Sequence, residues 1–333
     1  MGRSKDSPIT AKSLWHIAPH KLEIRKVSVA DPGPHQVRVR VMVCGVCGWD
    51  LRIFSGGYQD IRAFPFYFGH EGIGIIEKVG PGVTRVAVGD RVALRQSAVI
   101  GAEGTGHMAE YALQAEAEVV PLPADGKPDE HWLIEPVACC VNAVDLARIR
   151  AGACVALVGS GFMGSILLQL LALSPVSRIG VFELRPESLK CACSLQGEAP
   201  VDVYDLRADP DLAALHGSFD VAIETAGVEP AFLLANRLVR KGGTFVVFSR
   251  QQRPFSFDFS NWHSRGITVL NTSPAAAPDF TRCFYQSVPL MQAGRIDMAP
   301  LVTHVAPPEQ AQKLYEDGLS KNNGYLKGVI RWS

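Results

Sequence analysis

The chain has 333 residues, 47% hydrophobic and 20% charged, and its 33 basic residues balance 33 acidic ones. That length exceeds one typical domain and fits about two. Zero net charge leaves no basic footprint for nucleic acid or an anionic membrane, and no apolar run reaches the roughly 18 residues of a membrane span.

The opening, MGRSKDSPITAKSLWHI, has charges but no apolar core after them, so it does not read as a secretory signal. Eight unevenly spaced cysteines make no disulfide framework, and a reducing cytoplasm is the expected setting. The alternating Leu22–Val27 and the turn Asp31-Pro-Gly-Pro34 suggest an opening hairpin. Val37–Val43 alternates as a half-buried strand and runs into Cys44-Gly-Val-Cys47-Gly-Trp49-Asp50, a glycine-interrupted turn. A loop carrying Gly69-His70-Glu71-Gly72 precedes a strand at Ile73–Val79, and Val88-Gly-Asp-Arg-Val92 follows. Short strands with Gly and Pro turns predict a β-barrel-like first domain. Asp90 to Glu110 is loop-like and holds no cysteine, Tyr111–Pro121 is again strand-like, and Glu135-Pro136 opens a helix over Val137–Ile149.

From Ala153 the pattern alternates strand and helix. A buried strand, Val155–Val158, breaks at Gly159-Ser-Gly161-Phe162-Met163-Gly164, and a helix over Ser165–Ser174 and a strand over Ile179–Phe182 ending at Glu183 follow. A glycine turn between strand and helix, with an acid about 20 residues on, is the signature of a dinucleotide site. The first glycine permits the turn, the second lets backbone approach a pyrophosphate, and the third packs helix on strand. The helix N-terminus offers free N–H groups to the phosphates, and Glu183 is placed to accept hydrogen bonds from a ribose diol. A carboxylate there repels a 2′-phosphate, favouring NAD over NADP, although Arg185 could stack on adenine or reach a phosphate. Further strands are expected at Val201–Tyr204, Phe219–Thr225, Gly243–Phe248 and Thr268–Leu270, with a helix at Pro230–Val239 and Gly242-Gly243 read as a helix end and turn. Thr225 and Ser249 lie at strand ends, where doubly wound parallel sheets bind ligands. Helices at Phe280–Ala293 and Glu309–Leu319 and a closing strand, Gly328–Trp332, complete the chain, the tail being expected to return to the first domain.

Cys47, His70, Glu71 and Glu135 are of metal-ligand type, and zinc accepts thiolate, imidazole and carboxylate. Each alone also reads as a buried cysteine, a core histidine or a solvated carboxylate. Cys44 and Cys47 have half of a four-cysteine spacing, but no second C-x-x-C exists, so Cys44 reads as a buried strand-end residue.

Taken in order, Gly45-Val-Cys47-Gly-Trp49-Asp50, Gly69-His70-Glu71-Gly72, Val88-Gly-Asp-Arg-Val92, Glu135-Pro136 and the turn at Gly159–Gly164 resemble the zinc-dependent medium-chain dehydrogenases, in particular their polyol and threonine dehydrogenase branch. The resemblance spans nearly the whole chain. It implies a GroES-like catalytic domain at 1–147 and 275–333 and a Rossmann nucleotide domain at 148–274, with the active site in the cleft between. It implies Cys47, His70 and Glu71 as zinc ligands, Glu135 at the remaining position directly or through water, and Asp50 accepting the second imidazole N–H of His70. It further implies a small alcohol or ketone substrate, NAD(H), no nucleic-acid or membrane partner, and a homodimer or homotetramer associating through the nucleotide domains.

Two departures stand out. No cysteine-rich structural-zinc lobe is present, so one catalytic zinc per chain is expected. The family's hydroxyl two residues after the cysteine ligand is Trp49 here, and its relay histidine is Arg52. Indole N–H donates but cannot accept, and guanidinium is always protonated, so the usual proton path is closed. The expected function is hydride transfer between nicotinamide and a secondary alcohol of a polyol, sugar, cyclitol or amino-alcohol, with Trp49 and Phe54 walling the substrate pocket. In that reading the proton leaves through water and Glu71 or Glu135, and Ser55 offers another hydroxyl. A biosynthetic ketone or imine reductase and a non-catalytic NAD-binding descendant are the alternatives.

Overall fold

The computed structural model describes residues 8–57, 64–95, 106–195, 197, 199–209 and 212–332. It divides into two compact units: residues through Glu135 with those from Asp297 onward, and Pro136–Ile296. The boundaries expected from sequence, 147/148 and 274/275, differ because the rest of the helix begun at Ile134 and the helix Phe280–Gln292 both fall within the second unit.

In the first unit β1 (Ile9–Ala18) and β2 (Lys21–Val29) form the opening hairpin, with His20 in the left-handed region at the turn. The Asp31–Pro34 turn instead leads into β3 (Gln36–Val46). A short helix, α1 (Gly48–Phe54), replaces the expected turn; β4 (Phe66–Tyr67), β5 (Glu71–Val79) and β6 (Arg91–Leu94) follow. The Tyr111–Pro121 stretch is two strands, β7 (Tyr111–Ala115) and β8 (Val119–Pro121), separated by one 3-10 turn. The loop between β6 and β7, where a structural-zinc lobe would lie, falls partly outside the described residues. β3 is the organising strand, flanked by β5 and β7 and later by the tail. Its alternation does not make a solvated face. Val37, Val39 and Val41 are in the core with Ile76, Val92 and Leu94, while Arg38 on the opposite face is also buried, neutralised by Asp31 (2.9 Å) and Glu77 (2.7 Å).

After α2 (Ile134–Ala147), the second unit runs β9 (Cys154–Val158), α3 (Phe162–Ala172), β10 (Arg178–Glu183), α4 (Pro186–Ser194), β11 (Val201–Asp205), β12 (Phe219–Glu224), α5 (Glu229–Leu238), β13 (Val239–Val247), α6 (Ser260–Arg265), β14 (Thr268–Asn271) and α7 (Phe280–Gln292). All six strands are parallel, in the order β11-β10-β9-β12-β13-β14. Numbered from β9, this is the doubly wound 3-2-1-4-5-6 order, with its switch point between β9 and β12. Strands buried on both faces explain the unbroken apolar runs. Gly242-Gly243 is not a helix end: it lies within β13, where the left-handed Gly242 lets the pairing jump from Phe219↔Val239 to Val221↔Thr244.

The tail supplies β15 (Val302–Ala306), α8 (Ala311–Ser320) and β16 (Lys327–Arg331). β16 pairs antiparallel with β3, bringing Ile330 opposite Cys44 and Gly328 opposite Val46. α8 packs on α1 through Leu314 and Tyr315 against Leu51 and Phe54. No helix among the described residues is long and apolar enough to cross a membrane.

Candidate active site

Cys47 follows directly on β3 and is the N-cap of α1. Its Sγ accepts from Trp49 N–H at 3.5 Å, and the Asp50 carboxylate accepts from Cys47 N–H at 2.8 Å. This reciprocal cap satisfies two backbone donors and fixes the thiol at the helix start. His70 and Glu71 enter from the start of β5, which β3 pairs at Gly45↔Glu71. One donor atom each from Cys47, His70 and Glu71 lies within 4.8 Å of the others. Glu135, half-buried in the first turn of α2, stands outside that trio; its charge acts on the His70 imidazole.

The electrostatics of the trio favour a cation. Burial pushes the Cys47 thiol up, opposed by His70, and burial also raises the Asp50 carboxyl. Burial alone would lower His70, yet Cys47, Asp50 and Glu135 together carry it well above its ordinary value. Acidic groups clustered out of water are costly unless a positive charge is supplied. Thiolate, imidazole and carboxylate are also the donor set of a catalytic zinc. The residues present therefore fit the metal. Asp50 Oδ1 is 4.0 Å from His70 Nδ1, beyond hydrogen-bond length, and that buried Nδ1 has no hydrogen-bond partner among the described residues. The direct bond of Asp50 is to the Cys47 backbone.

Trp49 sits edge-on to Phe68 (4.9 Å between centroids) and to His70 (6.2 Å), and Phe68 lies 5.2 Å from His70. The aromatic neighbours beside the trio are therefore Phe68 and Trp49. Phe54, expected to wall the pocket, is fully buried against Tyr315, His16 and His20 within the core. Ser55 does not offer a spare hydroxyl proton: its Oγ donates to Arg52 O at 2.7 Å and closes α1. Arg52 itself lies in the last turn of that helix, where a cation complements the helix dipole.

In the second unit the glycine turn lies at the switch point. Gly159 is left-handed, and Thr225 Oγ1 donates across to Gly159 O at 2.7 Å. A Cβ on Gly164 would meet Gly159 O at 2.2 Å, so the helix–turn approach depends on that glycine. Gly161 caps α3, placing Phe162 and Met163 in its first turn. Glu183 is buried, and both its oxygens are engaged. Oε2 accepts from Ser160 N–H (2.8 Å), and Oε1 from Leu184 N–H (2.7 Å) and Arg185 N–H (2.9 Å). A ribose hydroxyl would share lone pairs with these donors. Arg185 is turned onto Ser188 Oγ at 2.7 Å. Glu224, not singled out from sequence, has the same role on β12. It accepts from Ala226 and Gly227 N–H (each 2.7 Å) and from the Ser249 hydroxyl, joining the ends of β12 and β13.

Two sequence families match the chain: "Alcohol dehydrogenase GroES-like domain" over residues 33–124 and "Zinc-binding dehydrogenase" over residues 163–292. This chain belongs to the zinc-type medium-chain dehydrogenases. It is similar to D-arabinitol dehydrogenase 1 of Uromyces fabae, at 28% identity over 94% of each chain. It is also similar to an L-threonine 3-dehydrogenase of Rhizobium johnstonii, at 25% identity over 93% of this chain and 95% of the relative. Its fold matches a zinc-binding dehydrogenase from Sinorhizobium meliloti 1021 bound to NADP, with TM-score 0.84, 24% identity, and coverage of 97% and 100%.

In this dehydrogenase two residues beside the trio escape a reading by motif. Lys327 on β16 is buried and ion-paired with Glu71. The signal was a lone lysine inside the apolar closing run Tyr325–Ile330. His107, fully buried, accepts from Gly72 N–H through Nδ1 at 3.2 Å, and burial lowers it to about 3. Nothing in its surrounding loop-like sequence marks it.

Proposed function

We propose that this protein is a zinc- and NAD-dependent dehydrogenase interconverting a secondary alcohol and its ketone on a polyol, sugar, cyclitol or amino-alcohol. The observation that carries the reading is the gathering of Cys47, His70 and Glu71 donors within 4.8 Å beside an aromatic wall. Cys47, His70 and Glu71 would hold the zinc, with Glu135 acting on it directly or through water. Bound there, zinc would supply Lewis acidity that lowers the pKa of a substrate hydroxyl, and a nicotinamide would supply the hydride acceptor.

The chain's own residues do the rest. The Cys47–Asp50 cap and the Gly45↔Glu71 pairing orient the ligands. Trp49 and Phe68 present ring surface beside His70, suited to the C–H face of a cyclic or extended polyol and excluding water. With no hydroxyl at position 49 and Ser55 Oγ committed to a backbone carbonyl, the proton passes to water near Glu71 or Glu135. In the nucleotide unit, Gly159, Gly161, Phe162, Met163 and Gly164 would form the phosphate turn, Glu183 and Arg185 would flank the ribose, and Thr225 and Ser249 would border the cofactor. The expectations of one zinc per chain and a cytoplasmic setting belong to this reading. So does self-association through the nucleotide units.

The test is metal content and reduced-nicotinamide absorbance, with NAD and NADP in parallel, across polyols, sugars, cyclitols and amino-alcohols for wild type and Cys47→Ser. Loss of bound zinc and of turnover in the variant is expected. Unchanged zinc and unchanged turnover would sink the assignment. The alternative expected from sequence, a ketone or imine reductase, uses the same residues, and turnover of a ketone or imine with none of any alcohol in the panel would select it.

A further inference from the structure

His107 stands beside the loop that delivers two of the proposed ligands, and it holds that loop on both sides of them. Its backbone N–H donates to Gly69 O at 3.1 Å, immediately before His70. Its side chain accepts from Gly72 N–H at 3.2 Å, immediately after Glu71. The adjoining Met108 N–H donates to Phe68 O at 2.8 Å and extends the same clasp. One residue thus brackets the dipeptide His70-Glu71.

The contact is built rather than incidental. The ring is fully excluded from solvent, and a Cβ on Gly72 would fall 2.9 Å from the His107 Cβ, Cγ and Nδ1. Only glycine lets the backbone N–H reach the imidazole. Because Nδ1 accepts, the ring proton must reside on Nε2. Nε2 lies 3.1 Å from the Gln114 amide nitrogen on β7, and the Nε2–H tautomer requires that amide to be turned over so that its oxygen accepts. Without an acceptor at Nδ1, the Gly72 N–H would be buried and unpaired, a cost that moving the His70-Glu71 backbone would relieve.

We infer that His107, as the neutral Nε2–H tautomer, is a positioning residue that fixes the spacing of His70 and Glu71 for the metal. This rests on the metal reading above, and it assigns no contact between His107 and the metal or substrate.

The experiment measures zinc affinity by chelator competition for wild type, His107→Asn, His107→Phe, Gln114→Met and Cys47→Ser, with unfolding curves for each. His107→Phe fills the space without an acceptor and should weaken zinc about 10–100-fold, the range seen when a residue supporting a ligand is removed. His107→Asn places an oxygen near the Nδ1 position and should recover most of that loss. Gln114→Met leaves the ring in place but unoriented and should weaken zinc several-fold. Nitrogen chemical shifts of labelled histidine should show His107 protonated at Nε2. An Nδ1–H tautomer, His107→Phe binding zinc as wild type does, or His107→Asn binding no better than His107→Phe would overturn the inference. If His107→Phe does not fold, the Gln114→Met affinity and the tautomer decide, and wild-type affinity in Gln114→Met overturns it. Cys47→Ser separates the two levels. Zinc retained in that variant defeats the metal reading itself, whereas zinc lost there but kept in His107→Phe defeats only the bracket.

Discussion

Lys327 and Glu71 form an ion pair with side chains 3% and 1% exposed, joining the closing strand to the first residue of β5. Burial pulls the lysine down, but Glu71, Cys47 and Asp50 together carry it above its ordinary value, so it is a permanent cation beside acidic groups. The chain's last strand therefore sets the charge of a site built from its first half.

Removing one member of such a pair leaves the other charge buried alone. In chelator-treated protein, Lys327→Met should lower unfolding free energy by about 3–5 kcal/mol. Lys327→Met with Glu71→Gln should recover much of it. Urea unfolding of the two variants checks this, and equal losses would show that the pair carries no coupling.

His16 is buried on Phe66, with ring centroids 5.4 Å apart, and burial holds it down to about 4. The folded protein therefore leaves it neutral where the unfolded chain, at about 6.5, takes up a proton. Between those values the unfolded state binds more protons, so stability falls as pH drops from about 6.5 toward 4 and is level, for this group, above that window. His16→Phe should flatten that acid dependence by up to about 3 kcal/mol. Urea midpoints at pH 7.5 and pH 5 in both proteins test it.

Gly164→Ala drives a methyl into Gly159 O, 2.2 Å from the ideal Cβ. The turn must open to accommodate it. Affinity for the reduced nicotinamide nucleotide, followed by fluorescence, should fall at least about tenfold, equivalent to 1.4 kcal/mol. Zinc content should hold, because the substitution lies in the other compact unit.

Trp49 contributes ring surface beside Phe68 and His70. With the best substrate of the panel, Trp49→Ala should raise KM about tenfold and change kcat less, as expected for lost ground-state contact. Trp49→Phe should stay within about threefold on both constants. A Trp49→Ala enzyme with wild-type KM would place the substrate elsewhere.

Much of this was open to reading in one dimension. Strands buried on both faces give unbroken apolar runs, and glycines needed for left-handed backbone or close approach cannot be replaced freely, so Val155–Val158 and Gly159–Gly164 declare themselves. Cys47 and His70-Glu71 were legible because each candidate ligand lies in a short local motif. Phe54 and Phe68 were not separable: both are aromatic residues near a candidate ligand in sequence, and the packing of α8 onto α1 sends Phe54 into the core. Glu183 was recognisable by its distance from the turn, but its engagement by three backbone N–H groups depends on how β10 and the turn meet. Lys327 lies 256 residues beyond Glu71 and His107 lies 35 beyond Gly72. Sequence determined the two folds and the candidate ligands, because periodicity and turn chemistry are local. The partners that hold those ligands were decided by tertiary structure alone, because strand pairing joins residues whose separation along the chain carries no pattern.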